Sequence, residues 1–156
     1  MKAKAIATVL VLALCLVGVA MGYAADAFMG TWKLNEAKSK FAPGEPKNNT
    51  VVYEAAGDNV KITVDGVDAD GKPTHNEWTG KFDGKEYPVT GDPTTDMRSY
   101  KMVNDHTLAL TNKKSGKTTM SGKIVISDDG KSRTVTTSGT NPEGKKVSGT
   151  AVYDKE

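Results

Sequence analysis

The chain has 156 residues and carries 21 lysines and arginines against 19 aspartates and glutamates. These charges are spread along the whole chain, so they form no basic stripe of the kind that nucleic-acid-binding proteins use. The one cysteine, Cys15, excludes a disulfide framework.

Residues 1–24 have the three parts of a secretory signal peptide. Lys2 and Lys4 form the basic start, an apolar run covers residues 6–19, and small residues lead to Ala24. The apolar run is shorter than the ~20 residues that a membrane-spanning helix needs, so we expect cleavage after Ala24 rather than a permanent anchor. The mature chain, residues 25–156, then has 19 cations and 19 anions, no cysteine and no membrane span.

Two alternatives remain for the leader. Cleavage after Ala25 or Ala27 would also satisfy the preference for small residues. Lipidation of Cys15 is disfavoured, because the large Leu14 precedes the cysteine and the pair lies inside the apolar run. We therefore expect a periplasmic or secreted protein that carries no lipid.

Turn signals recur throughout residues 25–156, and most centre on a glycine that supplies the positive φ angle of a tight hairpin. They are Ala56-Gly57-Asp58, Asp70-Gly71-Lys72, Asp83-Gly84-Lys85, Ser115-Gly116-Lys117, Asp129-Gly130-Lys131 and Glu143-Gly144-Lys145. No convincing helical period appears between them.

The segments between the turns are rich in Val, Thr, Ile and Tyr, and apolar and polar residues alternate, most clearly over residues 60–64. We predict about ten strands, at 29–35, 49–55, 59–66, 73–80, 84–90, 96–103, 106–113, 117–127, 131–139 and 145–154. One apolar face per strand and sequential hairpins favour a single all-β domain, an antiparallel up-and-down β-barrel of about 8–10 strands. An immunoglobulin-like sandwich is less favoured, because its long crossovers would replace some of the tight turns.

The first predicted strand carries Gly30-Thr31-Trp32. We expect Trp32 to close one end of the barrel, with Gly30 allowing the backbone to pass beside the indole where a Cβ would clash. Both residues are therefore assigned a structural role.

Residues 26–34 resemble the opening strand of the intracellular fatty-acid-binding proteins, and residues 152–156 resemble their closing strand. Gly-x-Trp is similar to the first lipocalin motif. The chain as a whole also resembles uncharacterised secreted bacterial proteins described as lipocalin-like, which share Gly-Thr-Trp-Lys-Leu and a segment like residues 82–93. The resemblance implies a lipocalin-like calycin barrel.

The fatty-acid-binding family places a helical lid between its first two strands and an arginine two residues before the last-strand tyrosine. Here residues 35–49 contain two prolines and are too short for two helices, and Ala151 stands at the arginine position. That part of the family's ligand site is absent.

The chain has two arginines, Arg98 and Arg133, and both lie in predicted strands. An inward arginine can hold an anionic head group through paired hydrogen bonds. Arg98 shares a face with Tyr100, although a surface ion pair is an alternative for it. For Arg133, the alternative is a cation–π contact with the Trp32 indole, which lipocalin-like barrels often form.

We predict that the protein binds a small, partly apolar ligand inside the barrel, and an anionic, lipid-like molecule is one candidate. The predicted ligand-binding residues are Arg98, Tyr100, Trp78, Tyr53, Arg133 and Tyr153. The competing hypothesis is a structural or protein-interaction module with a solid interior, because small barrels are commonly filled by side chains. The bulky residues expected inside in either case are Val51, Tyr53, Ile62, Trp78, Tyr100, Leu110, Ile124 and Tyr153.

No catalytic, metal or cofactor site is predicted. His75 and His106 lack a third imidazole or a cysteine, and the acidic residues near Asp65 fail the calcium-loop spacing. No paired carboxylates or Ser/His/Asp set can be placed, so we expect a non-enzymatic protein, and we expect it to be a monomer.

Overall fold

The computed structural model describes residues 25–156, so the predicted leader lies outside the described residues. They form ten strands and one short 3₁₀ turn at Glu36–Lys38. The strands are β1 Gly30–Leu34, β2 Lys47–Ala56, β3 Asn59–Val67, β4 Pro73–Gly80, β5 Asp83–Thr90, β6 Met97–Asn104, β7 Thr107–Lys114, β8 Lys117–Ile126, β9 Ser132–Thr140 and β10 Lys146–Lys155.

Every strand is antiparallel to its sequence neighbour, and β10 returns to pair with β1, so the sheet closes into an up-and-down barrel. Closure removes the exposed edges along which open sheets aggregate. The predicted all-β antiparallel barrel is confirmed.

All ten predicted strands are present, with bounds within one residue of the prediction except at the start of β2. One predicted turn is wrong. Asp83-Gly84-Lys85 is not a hairpin turn but the start of β5, where Gly84 at φ +80° accompanies a register shift against β6. The β4–β5 connection is the shorter Lys81–Phe82. The positive φ that the motif predicts at Gly84 therefore belongs to a β-bulge and not to a turn. In addition, β2 begins at Lys47 rather than at residue 49.

The two ends of the barrel differ. At the closed end, residues 25–29 form a helical turn that leads into β1, and Phe28 and Trp32 are fully buried. The Trp32 Nε1–H donates a hydrogen bond of 2.8 Å to the Phe28 carbonyl. The open end carries the β7–β8 and β9–β10 turns, because β7 and β9 run away from the closed end.

Aromatic rings fill the closed half. The Trp78 ring lies 4.8 Å from the Tyr100 ring and 6.4 Å from the Phe82 ring, between centroids. All eight side chains predicted to lie inside are buried, with at most 7% of their surface exposed. The burial of these side chains is that of an ordinary hydrophobic core.

The proposed reason for Gly30 was wrong. Its backbone has φ +102°, which disfavours any other residue, and the atom nearest to an added Cβ would be Cε of Lys155, at 3.2 Å. The neighbour is therefore a side chain of the last strand, not the indole of Trp32.

Two glycines allow the backbones of β8 and β9 to approach each other closely. A Cβ on Gly122 would collide with the Thr136 carbonyl, and one on Gly139 with the Thr119 carbonyl. Glycine at these positions avoids both collisions, and neither position contributes a side chain to the interior. Within residues 25–156, no helix is long and apolar enough to cross a membrane.

Candidate functional site

The inward positions of β8, β9 and β10 change along the strands. Toward the open end they are half-buried, whereas the inward positions deeper in the same strands are buried. The half-buried positions next to the buried ones are Gly122, Val135, Thr137, Gly149 and Ala151. We call the space that they border the open chamber.

Arg98 forms a polar cluster on the other side of the barrel, with only 6% of its surface exposed. Its Nε–H donates to Asn112 Oδ1 at 2.8 Å, and Nη1 donates to Asn76 Oδ1 at 3.3 Å. Nη2 lies 3.8 Å from Asp92 Oδ2, in the loop between β5 and β6. The guanidinium is thus held by two amides and one carboxylate.

Arg133 lies at the floor of the open chamber. It pairs in register with Tyr153, and the next inward pair toward the open end is Val135 with Ala151. Its guanidinium carbon lies 5.1, 5.0 and 4.6 Å from the ring centroids of Trp32, Tyr53 and Tyr153. This is the cation–π arrangement that the sequence offered as the alternative to ligand contact.

The same guanidinium lacks partners of the kind that Arg98 has. Among residues 25–156, Arg133 Nε and Nη1 are buried without a hydrogen-bond acceptor. Arg133 is also absent from the ion pairs that these residues form. A buried cation of this type is stabilised when an anion approaches it.

Two tyrosine hydroxyls near the arginines stay protonated at physiological pH. Burial raises the pKa of Tyr100 to about 12, against the opposing effect of the Arg98 charge. Burial also raises the pKa of Tyr153 to about 12, against the Arg133 charge. Both phenols are therefore neutral hydrogen-bond donors.

The structure places all six predicted ligand-binding residues in the interior. Arg133, Tyr53 and Tyr153 lie together, Trp78 packs on Tyr100, and Arg98 forms a separate cluster. Their role in binding stays a prediction.

Sequence reasoning missed the partners of Arg98. Asn76 and Asn112 are buried, and the signal was present for Asn112, which follows Leu108 and Leu110 at the inward spacing of β7. Asp92 had no such signal, because it lies in a loop.

His75 and its neighbours form an exposed charged group on the outer face of β3 and β4. Its Nδ1 lies 2.6 Å from Asp65 Oδ1, and its Nε2 lies 3.6 Å from Glu77 Oε1. The hydrogen bond with Asp65 raises the pKa of His75. Lys61, 3.0 Å from Glu77, lowers the pKa of that carboxyl.

Among residues 25–156, no cluster of His, Cys, Asp or Glu side chains could hold a metal ion.

The fold is similar to that of solved β-barrels. EF1p2_mFAP2b bound to DFHBI is 12% identical, with a TM-score of 0.51 over 86% of this chain and 98% of that one. The redesigned barrel mFAP1 bound to DFHBI is 18% identical, with a TM-score of 0.48 over 85% of this chain and 99% of that one. No protein-family model and no curated protein matches the sequence. The first likeness supports the closed antiparallel barrel and concerns the fold alone.

Proposed function

We propose that the protein is a non-enzymatic binding protein that holds a small, partly apolar ligand with an acidic group in the open chamber. The observation that carries this proposal is the Arg133 guanidinium, which is 2% exposed and has two N–H groups without acceptors. A carboxylate or phosphate on a ligand would supply the missing negative charge and the missing acceptors.

The chamber suits the rest of such a ligand. Val135 and Ala151 give the chamber an apolar wall, and the Tyr153 phenol at the floor is a neutral donor beside the guanidinium. Pockets for small molecules are mostly apolar with a few polar groups that orient the ligand. Arg98, whose donors already have partners, is the secondary anchor.

The comparison structure EF1p2_mFAP2b is bound to DFHBI, so a barrel of this fold can hold a small molecule. That molecule is not proposed as the ligand here. The similarity concerns the fold alone, and the ligand class proposed above comes from the side chains of this chain.

The competing function is a packed structural or interaction module. The three aromatic rings around Arg133 favour it, because cation–π contacts stabilise the guanidinium without any ligand. The two functions differ in one respect that can be measured, namely whether the chamber is occupied.

Native mass spectrometry of the protein from its own source, followed by titration of the purified protein with the anionic probe 1-anilinonaphthalene-8-sulfonate, tests the proposal. We expect saturable binding that Ala151→Phe abolishes, since a phenyl ring there fills the chamber. The matched control is Thr136→Phe, which places the same ring at an exposed position of β9. No bound molecule together with no saturable probe signal would establish the packed module.

The anchor is tested separately. Arg133→Met keeps an unbranched side chain against the rings and removes the charge. We expect it to weaken probe binding by roughly 1.5–3 kcal/mol, the range for hydrogen bonds to charged groups, and Arg98→Ala to weaken it less. Equal binding by wild type and Arg133→Met would remove Arg133 as the anchor.

We further propose that the protein works outside the cytoplasm, after removal of residues 1–24. The basic start and the apolar run of the leader support this location. Mass spectrometry of the exported protein is expected to show a chain that starts at Ala25 and carries no lipid. An intact leader or a diacylated cysteine would contradict the proposal.

A further inference from the structure

A second concavity crosses β8, β9 and β10 near the open end, with a volume of about 520 Å³. Its lining residues are Thr118, Thr119, Met120, Ser121, Ser138, Gly139, Thr140, Lys146, Val147 and Ser148. The volume is within the ~300–1,000 Å³ typical of small-molecule sites. Pairing between β8 and β9 ends at Met120 and Gly139. The lining combines outward positions of the three strands with the inward positions Met120, Gly139 and Val147, so the concavity lies at the rim of the open end.

Hydroxyl groups dominate the lining. Six of its ten residues are serine or threonine. Ser121, Ser138 and Ser148 are exposed and lie opposite one another on adjacent strands. Such a row places side chains roughly 5 Å apart and offers each hydroxyl as both donor and acceptor.

Three lysines lie at the concavity. Lys146 lines it, while Lys117 and Lys145 stand next to lining residues at the β7–β8 and β9–β10 turns. None of the three takes part in the ion pairs that residues 25–156 form. The lining contains no carboxylate, and Glu143 is the acidic residue of the β9–β10 turn.

We infer that this concavity, which we call the outer site, binds a hydroxyl-rich anion of the size of a phosphorylated or carboxylated monosaccharide. The serine row matches the alternating donors and acceptors of a sugar ring, and the lysines attract the acidic group. Met120 and Val147 supply the apolar contact, and the lining has no aromatic ring on which a nucleobase would stack.

Titration of ¹⁵N-labelled protein with glucose 6-phosphate, glucose and inorganic phosphate tests the inference. We expect glucose 6-phosphate to shift the amide signals of residues 118–121, 138–140 and 146–148, and to bind more tightly than either partial probe. Binding is expected to weaken as salt is raised, because the lysines are exposed.

Three variants locate the site. Lys146→Gln is expected to weaken glucose 6-phosphate binding about two- to fivefold, the range for an exposed charge pair, and Ser138→Val to weaken it by a similar factor. Lys131→Gln, an exposed lysine of the β8–β9 turn at the closed end, is the matched control and is expected to change nothing. Ala151→Phe, which fills the open chamber, is also expected to leave this binding unchanged.

Shifts confined to other residues, or none at all, would overturn the inference. So would equal affinity for inorganic phosphate and glucose 6-phosphate, because the hydroxyl row would then contribute nothing. Equal weakening by Lys131→Gln and Lys146→Gln would reduce the effect to overall charge and would also overturn it.

Discussion

Strands β8, β9 and β10 run through both the closed and the open half of the barrel, yet their inward residues differ in burial between the two halves. Near the closed end, β8, β9 and β10 contribute Ile126, Arg133 and Tyr153, which pair in register and are all at most 3% exposed. One or two rungs further along, the same strands present Gly122, Val135 and Ala151, which are half-buried. We therefore expect stability to be concentrated in the closed half, where the inward side chains are fully buried.

Replacing one inward residue in each half is the most direct test of this difference between the halves. Trp32→Ala removes a fully buried indole and its hydrogen bond to Phe28, and is expected to cost about 3–5 kcal/mol of unfolding free energy. Val135→Ala in the open half is expected to cost about 1 kcal/mol. Urea denaturation measures both, and equal losses would show that the halves do not differ.

Alkaline pH probes the closed half through its buried phenols. Burial raises the pKa of Tyr100 and Tyr153 from about 10 to about 12. Below pH 10, both phenols are neutral in the folded and in the unfolded chain, so their burial contributes fully to stability there. As the pH rises from 10 to 12, the unfolded chain loses these protons first, and stability is expected to fall by roughly 3 kcal/mol per tyrosine.

Tyr100→Phe is expected to flatten this decline in stability, measured as the urea midpoint against pH. Tyr87→Phe is the control, because Tyr87 is more exposed and its raised pKa comes chiefly from the hydrogen bond with Asp83. A decline of the same steepness in wild type and Tyr100→Phe would contradict the role assigned to burial.

The polar cluster on the wall opposite the chamber gives a smaller effect. Asn112→Ala leaves the buried Arg98 Nε–H without an acceptor and is expected to cost about 1–3 kcal/mol. Asn112→Asp keeps an acceptor and is expected to lose less. Thermal denaturation measures the loss of stability in both variants. A larger loss for Asn112→Asp than for Asn112→Ala would show that the hydrogen bond to Arg98 is not the main contribution of Asn112 to stability.

The outer face is expected to respond least. The hydrogen bond with Asp65 raises the pKa of His75 above 6.5, so the stability that it contributes is complete below pH 6.5 and is lost as the pH rises through the folded-state value. We expect His75→Gln to lower the urea midpoint slightly at about pH 5.5 and not at about pH 8. A larger effect at the higher pH would show that the protonated form of His75 is not the stabilising one.

Much of the fold follows from local chemistry. The alternation in residues 60–64 marks a half-buried strand, and Asp129-Gly130 supplies a left-handed turn residue, so the ten strands were predictable within a few residues. The inward direction of Arg98 followed from the same alternation. Asp83-Gly84 shows the limit, because a positive φ serves a turn and a bulge equally well.

The candidate site depended on contacts between distant segments. Arg98 meets Asn76 and Asn112, which are 22 and 14 residues away, and Gly30 meets Lys155 at the other end of the chain. The sequence by itself determined the strand period, the turns and which residues face inward, because these depend on the backbone preferences and burial of near neighbours. Only the tertiary structure decided that Arg133 lies among three rings without an acceptor and that the inward residues of β8–β10 are half-buried toward the open end. The reason is that barrel closure and strand register set which inward side chains meet.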